Sequence, residues 1–566
     1  MTAQMKKSPS TPTRCWKTFN KVNILSTSGA VILLCAATFV AQAQTFTDLA
    51  QFNGSNGANP TAPLTQGVNG NLYGTTYGGG NNGAGTVFEV GPGGILATLY
   101  SFCTQPNCRD GQIPFLAGLV LATNGNFYGE TAYGGKQGYG TIFRINPQGE
   151  LRTLHSFTST DGDTPIGGLI QGTDGNFYGV TYQGGAHRNG TVFKITPTGT
   201  LTTLHSFGRS DGKWPAAGLV QAPDGNFYGT TDAGGQFNLG TVFRITPGGK
   251  LITLHHFDGD DGSANLGQLI LAADGNFYAT ASGGGANGAG TVFSIAPDGT
   301  FTTLYNFVDI VGGLKTLLQP TDGSFYGTIE LGGDPGCLDY GCGSIFQLTL
   351  DGTLTTLHVF EGPDGENPEG AMFQATDGTL YGTTYSGGDF SCNEGTGCGT
   401  VFSLNLGLSP FVRLVRDSGK VGQSGPILGQ GFTYASDVSI GGTPASFTVV
   451  SDTYLIATVP AGATTGFVTV TTPNNTLTSN KPFRVTPQLL SFDPPSGPAG
   501  TQVTITGVSL TQTQGVGFGD RVPAQFTVNS DNQVTATVPE GAQTGKIGIQ
   551  TQGGTAISSA TFTVTP

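Results

Sequence analysis

One sequence motif recurs seven times between Tyr73 and Tyr381. Each copy contains Asp-Gly-Asn-Phe-Tyr-Gly or a close variant, then a Gly-Gly pair, then Gly-Thr-Val-Phe or a close variant. The anchor tyrosines are spaced by 55, 50, 50, 50, 48 and 55 residues and are Tyr73, Tyr128, Tyr178, Tyr228, Tyr278, Tyr326 and Tyr381. A period of about 40–50 residues that holds several short strands is typical of a β-propeller. The repeat therefore predicts an all-β fold.

Turn signals divide each copy into four short segments of strand-like sequence. In the fourth copy these segments, which we call strands A to D, are residues 218–222, 227–231, 241–245 and 251–257. The Asp-Gly and Gly-Gly pairs between them are typical of tight hairpins, since glycine adopts a positive φ without a Cβ clash. Four antiparallel strands form one propeller blade. Each copy therefore predicts one blade.

The strand count indicates how the array closes. Seven A–B–C triplets run from residue 62 to residue 404, but no D strand follows the last triplet. A D-like segment with no triplet before it lies at residues 46–52, and it matches residues 201–207 in pattern. We predict that residues 46–52 form the outer strand of the seventh blade, which leaves the array without a free edge. The predicted fold class is all-β, a seven-bladed β-propeller closed by its N-terminal strand.

The lengths of the connections distinguish the two ends of the predicted ring. The A–B and C–D turns keep their length, whereas the B–C and D–A connections vary and project from one face, because strands alternate in direction. Variable loops on a rigid scaffold often carry function, although insertions also accumulate by drift at tolerant sites. Each of three long connections contains a cysteine pair, and we expect the disulfides Cys103–Cys108, Cys337–Cys342 and Cys392–Cys398. Zinc would need further ligands beside a pair, and none is present, so no metal site is predicted.

One position on this face varies while its surroundings stay constant. It lies four residues after each anchor tyrosine, where strand B meets the loop, and several copies carry a tyrosine or an acid there. Exposed tyrosines beside acids suit a sugar or a protein partner. The ligand-binding candidates, which include one tyrosine a residue further along, are Tyr77, Tyr133, Tyr182, Asp232, Glu330 and Tyr385. The alternative is that these side chains pack the edges of the glycine-rich loops.

The sequence contains no grouping typical of catalysis. Serine hydrolase, P-loop and zinc-protease motifs are absent. Glu130 and Glu330 fall on non-adjacent copies, so they do not suit a glycosidase pair. A histidine recurs at one position of strand D, which indicates a structural role; the four copies that carry it have His155, His205, His255 and His358. We therefore predict no catalytic residue and no cofactor.

The first 43 residues predict a secretory signal peptide. They combine five Lys or Arg and no acid with an apolar run at 29–41 and the small-x-small sequence Ala41-Gln42-Ala43. That run is short for a membrane anchor, and no second apolar stretch follows. The remaining chain has 18 Lys or Arg against 36 acids, a net charge of −18, which disfavours nucleic acid as a partner. We expect a secreted or cell-surface protein that is not inserted in the membrane after cleavage.

After residue 406 the pattern changes to two copies of a different unit. The second copy opens on Pro-Pro-Ser-Gly-Pro-Ala-Gly-Thr at residue 494, and both copies contain Ala-Thr-Val-Pro, at 457–460 and 536–539. Short alternating strands with Gly and Pro turns over about 80 residues favour β-sandwiches. The predicted domains are a signal peptide at 1–43, the propeller at 44–407, and immunoglobulin-like sandwiches at 408–487 and 488–566.

These motifs resemble two known families. Residues 408–566 resemble IPT/TIG immunoglobulin-like domains, and the Asp-Gly-Asn-Phe-Tyr-Gly and Gly-Thr-Val-Phe motifs of residues 45–405 resemble the bacterial GloVer tandem-repeat family. The resemblance implies an exported bacterial protein, in a family often tethered by C-terminal anchors. It transfers no catalytic residues to this chain.

A rigid scaffold with one decorated face and no catalytic grouping favours a non-enzymatic binding or adhesion protein. We expect a monomer that holds an extracellular glycan or protein on the loop face, with the two sandwiches as a spacer. One alternative is a carbohydrate-active enzyme, a glycoside hydrolase or lyase that uses acids on the loop face. The other is a purely structural envelope protein.

Overall fold

The protein is all-β in the part of the chain that the structure describes. The computed structural model describes residues 44–308, 313, 316–332, 341–519 and 522–566, so the predicted signal peptide and Cys337 lie outside the described residues. No helix in these ranges combines the length and apolar character needed to cross a bilayer. Their helical pieces are the short 3-10 turns Pro106–Cys108, Asn393–Gly395 and Phe432–Tyr434.

The repeats fold into seven antiparallel sheets, one for each copy of the motif. In sheet 4 strands B and C are Phe227–Thr231 and Thr241–Ile245, the bounds that the sequence predicts. Strand A is shorter than predicted and spans only Val220–Gln221. The residues before strand A pack against the previous copy of the motif. A Cβ on Gly218 would lie 2.5 Å from the Gly167 carbonyl oxygen in that copy. We call the seven sheets together the sheet array.

The strand bounds repeat closely from sheet to sheet. In order from A to D, sheets 1 to 4 are Thr65–Gln66, Leu72–Thr76, Thr86–Val90 and Leu96–Ser101; Val120–Leu121, Phe127–Thr131, Thr141–Ile145 and Leu151–Ser156; Ile170–Gln171, Phe177–Thr181, Thr191–Ile195 and Leu201–Ser206; Val220–Gln221, Phe227–Thr231, Thr241–Ile245 and Leu251–His256. Sheet 5 adds one strand before strand A and comprises Ser263–Leu266, Ile270–Leu271, Phe277–Gly283, Thr291–Ile295 and Phe301–Asn306. Sheet 6 comprises Phe325–Ile329, Ser344–Leu348 and Leu354–Val359.

Sheet 7 combines the two ends of the array. Strands A to C are Phe373–Gln374, Leu380–Thr384 and Thr400–Asn405, and the N-terminal strand Thr45–Gln51 pairs antiparallel with the last of these. Phe46 lies opposite Leu404 in this pairing. The prediction that the N-terminal segment supplies the outer strand of the last copy is therefore confirmed.

Strand B is buried on both of its sides, which explains its composition. In sheet 4 every residue of Phe227–Thr231 is buried, and glycine in the middle leaves room for the strand C phenylalanine. A Cβ on Gly229 would lie 2.7 Å from the Phe243 ring, and one on Gly382 in sheet 7 would lie 2.3 Å from the Phe402 ring. The Phe-Tyr-Gly motif is therefore a packing motif.

Each sheet packs on the next through the aromatic residues of strand B. The rings of Tyr178 and Phe227, on sheets 3 and 4, have centroids 4.0 Å apart. Buried clusters of the same kind join each of sheets 1 to 6 to the sheet that follows. A further cluster, with Tyr381 and Leu72, joins sheet 7 to sheet 1. The packing contacts therefore run from sheet 1 to sheet 7 and back to sheet 1.

Two β-sandwiches follow the sheet array, each with its own buried core. The first has sheets Arg413–Leu414, Ser424–Leu428, Tyr454–Thr458 and Phe447–Ser451; Thr443–Pro444, Asp437–Ile440, Val468–Thr471 and Thr476–Thr478; and the parallel pair Ser418–Gly419 and Arg484–Val485. The second has Gln488–Asp493, Gln502–Val508, Gln533–Thr537 and Phe526–Ser530; and Ser496–Gly497, Gly554–Val564, Gly545–Thr551, Thr513–Phe518 and Val522–Pro523.

The first sandwich contacts the end of the array that carries the A–B and C–D turns, which we call the turn face. Thr453 Oγ1 donates to the Val68 carbonyl oxygen over 2.8 Å, and the Phe411 N–H donates to the Thr376 carbonyl oxygen over 3.0 Å. A groove of about 650 Å³ separates the second sandwich from the turns of sheet 4, with Asp224 on its wall. The turn face is thus partly covered by the sandwiches.

Candidate binding face

The opposite end of the array carries the B–C loops and D–A connections, and we call it the loop face. In six of the seven copies the predicted position four residues after the anchor tyrosine directly follows strand B, as Tyr182 follows Thr181; in sheet 5 it is Ser282, inside strand B. In these six copies the N–H at the predicted position donates to a carbonyl oxygen of the D–A connection in the same copy: Tyr182 N–H bonds the Thr164 oxygen over 3.0 Å, and Asp232 N–H bonds the Trp214 oxygen over 3.1 Å. The backbone therefore fixes these side chains at the edge of the loop face.

The structure brings two candidate tyrosines together between sheets 7 and 1. The pKa of Tyr385 is raised, first by burial and then by the charges of Glu369 and Tyr77. Tyr77 also makes an edge-to-face contact with Phe115, with ring centroids 5.5 Å apart. Phe115 belongs to the connection between sheets 1 and 2. Asn59 links the two tyrosines, since its side-chain N–H donates to the Tyr385 carbonyl oxygen over 2.8 Å and its own carbonyl oxygen accepts the Tyr77 N–H over 3.0 Å. We call Tyr385, Tyr77 and Phe115 the first aromatic group.

A second aromatic group lies between sheets 3 and 4. Tyr182 stacks against Trp214, with ring centroids 5.8 Å apart and planes 23° apart. Burial raises the pKa of Tyr182, and the charge of Asp232 raises it further. The Lys213 ammonium lies 3.9 Å from the centroid of the Trp214 ring, and Lys213 is buried. Tyr182, Trp214 and Asp232 therefore lie together beside Lys213, since Tyr182 stacks on Trp214 and the Asp232 N–H donates to the Trp214 oxygen.

The other candidates do not join these groups. Tyr133 lies two residues beyond strand B, pairs through its backbone with Gln112, and is 44 % exposed, more than the half-buried Tyr77, Tyr182 and Tyr385. Glu330 directly follows strand B of sheet 6, and sheet 5 lies between sheet 6 and sheet 4, whose strand B precedes Asp232. The two acids therefore do not form a pair.

Trp214 is the residue that sequence reasoning missed. Its φ is +59°, a left-handed conformation that is uncommon for a bulky side chain. The equivalent residues before proline in other copies have similar φ values, so the conformation belongs to the repeat; they are Asn59, Ile113, Thr164 and Asn367. The sequence feature that could have identified this residue is its rarity, because Trp214 is the single tryptophan after residue 43.

Disulfides hold two of the long loops on this face. Cys103–Cys108 and Cys392–Cys398 are both formed, as predicted. Cys342 is also in a disulfide, and its predicted partner Cys337 lies outside the described residues. The Cys398 carbonyl oxygen accepts the Asn59 N–H over 2.8 Å, and the Asn59 oxygen accepts the Tyr77 N–H over 3.0 Å. The Cys392–Cys398 loop thus positions a candidate tyrosine of the neighbouring sheet.

The recurring histidines pair with recurring aspartates below this face. His205 Nε2 lies 2.8 Å from Asp211 Oδ2, and His358 Nε2 lies 2.8 Å from Asp364 Oδ2. Burial acts to raise the pKa of Asp364, but bonds from His358 and from the Glu361 N–H keep it lowered. The constant spacing of six residues between the partners was a signal that the sequence offered. Four copies of one pair fit a structural device that holds the D–A connection.

Among residues 44–308, 316–332, 341–519 and 522–566, no cluster of three or more His, Cys, Asp or Glu side chains is arranged to hold a metal ion. The aromatic groups and the acids on the loop face suit recognition: aromatic faces can stack on apolar surfaces, and carboxylates can accept hydrogen bonds.

Three solved structures that resemble parts of this chain have low TM-scores. A surface glycan-binding protein from Prevotella bryantii is 19% identical over 27% of this chain and 41% of that chain, with a TM-score of 0.21. A glycan-binding protein from a xyloglucan utilization locus of Bacteroides uniformis is 22% identical over 27% and 50%, with a TM-score of 0.14. A fungal alcohol oxidase of the AA5 family, in complex with copper, is 14% identical over 92% and 98%, with a TM-score of 0.43. At these TM-scores the similarities carry no inference about function.

Known family models match both the repeats and the two sandwiches of this chain. No curated protein matches the chain. The IPT/TIG domain model matches residues 415–485 and 487–565, and the Gloeobacter/Verrucomicrobia repeat model matches residues 35–174 and 118–339, which together exceed half of the chain. The chain therefore belongs to the Gloeobacter/Verrucomicrobia repeat family and carries two IPT/TIG domains after its repeats.

Proposed function

We propose that the seven sheets are the blades of a closed seven-bladed propeller. Three observations support this: the four-stranded antiparallel pattern of most sheets, the packing contacts that return from sheet 7 to sheet 1, and the pairing of the N-terminal strand with strand C of sheet 7. In a propeller the A strands line a central axis. The loop face and the turn face are then opposite ends of one ring.

We propose further that the protein is exported and binds an uncharged extracellular glycan on the loop face without converting it. The observation that carries the proposal is the second aromatic group. Trp214, the single tryptophan after residue 43, stacks on Tyr182, and its carbonyl oxygen accepts the Asp232 N–H. The Trp214 side chain is only half-buried, so part of its aromatic surface is open to a ligand at the edge of the loop face.

The chemistry of this group fits a sugar. Aromatic rings offer apolar faces to the C–H surfaces of a pyranose, and a nearby carboxylate accepts hydrogen bonds from its hydroxyl groups. The buried Lys213 under the Trp214 ring holds that ring by a cation–π contact. Little conformational freedom remains to be lost when a ligand stacks on Trp214.

The first aromatic group extends the same chemistry to another part of the face. Tyr77, Tyr385 and Phe115 lie at sheets 7 and 1, whereas Trp214 lies at sheet 4. Two separate groups suit an extended glycan chain better than a single sugar. The acids on this face and the net charge of −18 after residue 43 disfavour an anionic glycan.

Tryptophan fluorescence tests this proposal at the site itself, since Trp214 is the single tryptophan after residue 43. We expect soluble neutral oligosaccharides, screened first on a glycan array, to shift or quench the emission of the exported protein. Isothermal titration calorimetry measures the variants, since Trp214→Ala has no tryptophan after residue 43. Trp214→Ala should weaken binding at least about tenfold, as expected for a central aromatic contact, while thermal unfolding stays close to wild type. The same mixtures are assayed for released sugars.

Tyr434→Ala is the matched control, because Tyr434 is an aromatic residue 76% exposed on the first sandwich. Its removal should leave binding unchanged. Equal affinities for wild type and Trp214→Ala would contradict the site, and released sugar would establish the enzyme alternative. Binding of a basic protein, with no response to any neutral glycan, would contradict the glycan as the ligand but not the loop face as the binding site.

A further inference from the structure

A groove of about 650 Å³ lies between the second sandwich and sheet 4. One wall consists of the A–B turn, the C–D turn and strand D of sheet 4, and it includes Asn226, Lys250 and Ile252. The other wall consists of three adjacent strands of the second sandwich, and it includes Gln514 and Gln550. Ligand sites in proteins have volumes of roughly 300–1,000 Å³, so the groove has the size of a binding site.

The strand Arg484–Val485 of the first sandwich joins the two walls. Arg484 Nη1 donates to the Ala222 carbonyl oxygen over 3.4 Å, directly before the A–B turn of sheet 4. The Val485 carbonyl oxygen lies so close to Gly553 of the second sandwich that a Cβ there would clash, and Gly553 lies between two residues of the groove wall. Both walls are therefore attached to one short strand, and little freedom remains to be lost when a ligand enters.

The sandwich wall presents side chains rather than a strand edge, because each of its three strands has a paired neighbour on both sides. Gln514 and Gln550 are exposed, and their carboxamide groups make no hydrogen bond with any described residue. A carboxamide can donate and accept, which suits the hydroxyl groups of a sugar. Ile557 in the same wall is 56% exposed and offers an apolar surface. Recognition through side chains favours a glycan over a peptide, whose backbone pairs with strand edges.

The wall of sheet 4 supplies a free positive charge. Arg244 and Lys250 line the groove together with one acid, Asp224. The Asp224 carboxylate already accepts hydrogen bonds from Asn226 Nδ2 over 2.6 Å and from Tyr228 Oη over 3.0 Å. Lys250 is exposed, and its ammonium group has no hydrogen-bond or ion-pair partner among the described residues. A carboxylate in the groove would form a charge-assisted hydrogen bond with Lys250.

Lys250 and Ile252 depart from the repeat in the copy that faces the groove. The position of Lys250 holds no cation in the other copies, which have Ile95, Glu150, Thr200, Thr300 and Thr353. The position of Ile252, which is 39% exposed, holds threonine in three other copies, as Thr202, Thr302 and Thr355. At these two positions, only this copy combines a cation with a large aliphatic side chain.

We propose that this groove binds a short acidic glycan, a segment that carries a uronate group. Lys250 bonds the carboxylate, Gln514 and Gln550 bond hydroxyl groups, and the two isoleucines contact the C–H surface of the sugar rings. The net charge of −18 after residue 43 acts only weakly on this ligand, because charges beyond about 8 Å are screened at physiological ionic strength. The site lies at the turn face and does not rest on the function proposed for the loop face.

Isothermal titration calorimetry of the exported protein tests this site at one ionic strength, set by sodium chloride. The probes are trigalacturonate, trimannuronate, the methyl ester of each, and a hexaglutamate peptide. We expect at least one of the two uronates to bind saturably at millimolar concentration or below. Its methyl ester should bind roughly tenfold more weakly, since the ester keeps the hydroxyl groups but loses the charged hydrogen bond.

Two variants separate the contributions of the two walls. Lys250→Gln should weaken uronate binding roughly tenfold and leave binding of the ester unchanged, whereas Gln550→Ala should weaken both. Both residues are exposed, so the variants should fold. Lys420→Gln changes an exposed lysine of the first sandwich outside the groove and should bind the uronate as wild type does.

Trp214→Ala should also bind the uronate as wild type does, because Trp214 lies on the loop face. Binding that is lost in Trp214→Ala but kept in Lys250→Gln would place the uronate on the loop face and overturn the groove as its site. Failure of both uronates to saturate, or equal affinities for acid and ester, would overturn it as well. Binding of hexaglutamate alone would assign the groove to an acidic peptide and contradict the glycan.

Discussion

The loop face and the turn face are built from the same strands but differ in how their polar groups are used. On the turn face one local contact repeats: Tyr178 Oη donates to Asp174, and Tyr278 Oη donates to Asp274, over 2.9 and 2.8 Å. On the loop face the equivalent positions change from copy to copy, as between Tyr182 and Asp232. The turn face therefore has the same contact in several copies, whereas the residues of the loop face differ from copy to copy.

The difference follows from what each kind of connection must do. An A–B turn of fixed length sets the register of the two innermost strands, so changing it disturbs the sheet. A D–A connection only has to reach the next sheet, and it can change without disturbing either one. A uniform end can serve as a docking surface for another domain, while a variable end can acquire a binding site.

The largest expected effect is on the stability of the sheet array, whose closure between sheets 7 and 1 supports both faces. Phe52 follows the N-terminal strand and is fully buried in the cluster that joins sheets 7 and 1. Phe52→Asp removes its packing, which costs roughly 3–5 kcal/mol for a buried phenylalanine, and adds a buried charge. Differential scanning calorimetry should show a large fall in the unfolding temperature of the sheet array and little change for the second sandwich.

Thr47→Asp places the same charge at an exposed position of the same strand and should have little effect. Hydrogen exchange on Phe52→Asp should rise on both faces together, since both depend on closure between sheets 7 and 1. Equal unfolding temperatures for the two variants would contradict the closed propeller.

A smaller effect is expected from Glu130, which lies inside strand B of sheet 2 and is fully buried. Its Oε2 accepts the Gly168 N–H over 3.0 Å, and its Oε1 has no hydrogen-bond partner among the described residues. Burial raises its pKa from 4.5 to about 8, although the Gly168 bond lowers it. Sequence reasoning considered Glu130 only as a poor candidate for catalysis.

A raised pKa in the folded state fixes the sign of the pH dependence. The folded protein holds the Glu130 proton more tightly than the unfolded chain, so stability is complete below about pH 4.5 and is lost as the pH rises towards 8. Because each tenfold difference in proton affinity corresponds to about 1.4 kcal/mol, the loss is about 3 kcal/mol by pH 7. Glu130→Thr, the residue at this position in sheet 4 (Thr230), should remove this loss.

Urea unfolding at pH 5, 7 and 8.5 measures the effect. The advantage of Glu130→Thr over wild type should grow with pH across this series. Glu150→Gln changes an exposed glutamate next to sheet 2 and should leave the pH dependence unchanged. Parallel curves for Glu130→Thr and wild type would show that the buried carboxyl titrates normally.

The repeat in the sequence was sufficient to predict most of the sheet array. The spacing of the tyrosines gives the number of sheets, and the unmatched D-like segment at 46–52 gives the closing pair, because each copy must bury the same aromatic residues against the next. The local cysteine spacing gives the two disulfides found in the described residues. These features are periodic or local, so a sequence displays them.

Features that break the period were harder to predict. Trp214 and Glu130 each occur in one copy, and only the structure shows that one stacks on Tyr182 at the loop face and the other is sealed between sheets. The contact of the first sandwich with the turn face depends on arginines such as Arg413 bonding backbone oxygens. Such bonds have no pattern in the sequence of either partner.

The smallest expected effect separates the two faces directly. Replacing Cys392 and Cys398 together by alanine removes a disulfide that closes a short loop, which should cost about 2 kcal/mol or less. The effect on the local backbone should be larger than the effect on global stability. The Cys398 carbonyl oxygen accepts the Asn59 N–H, and the Asn59 carbonyl oxygen accepts the Tyr77 N–H. Hydrogen exchange should therefore speed up at Asn59 and Tyr77, and glycan binding at the first aromatic group should weaken.

The turn face supplies the control for this variant within the same molecule. The Gly378 N–H bonds the Ala375 oxygen over 3.0 Å in the A–B turn of sheet 7, the sheet that also carries the disulfide loop. Its exchange should not change, since the turn at the other end of the sheet does not depend on the loop. If Gly378 exchanges faster in step with Asn59, the two ends of a sheet move as one unit, and the loop face cannot vary independently of the turn face.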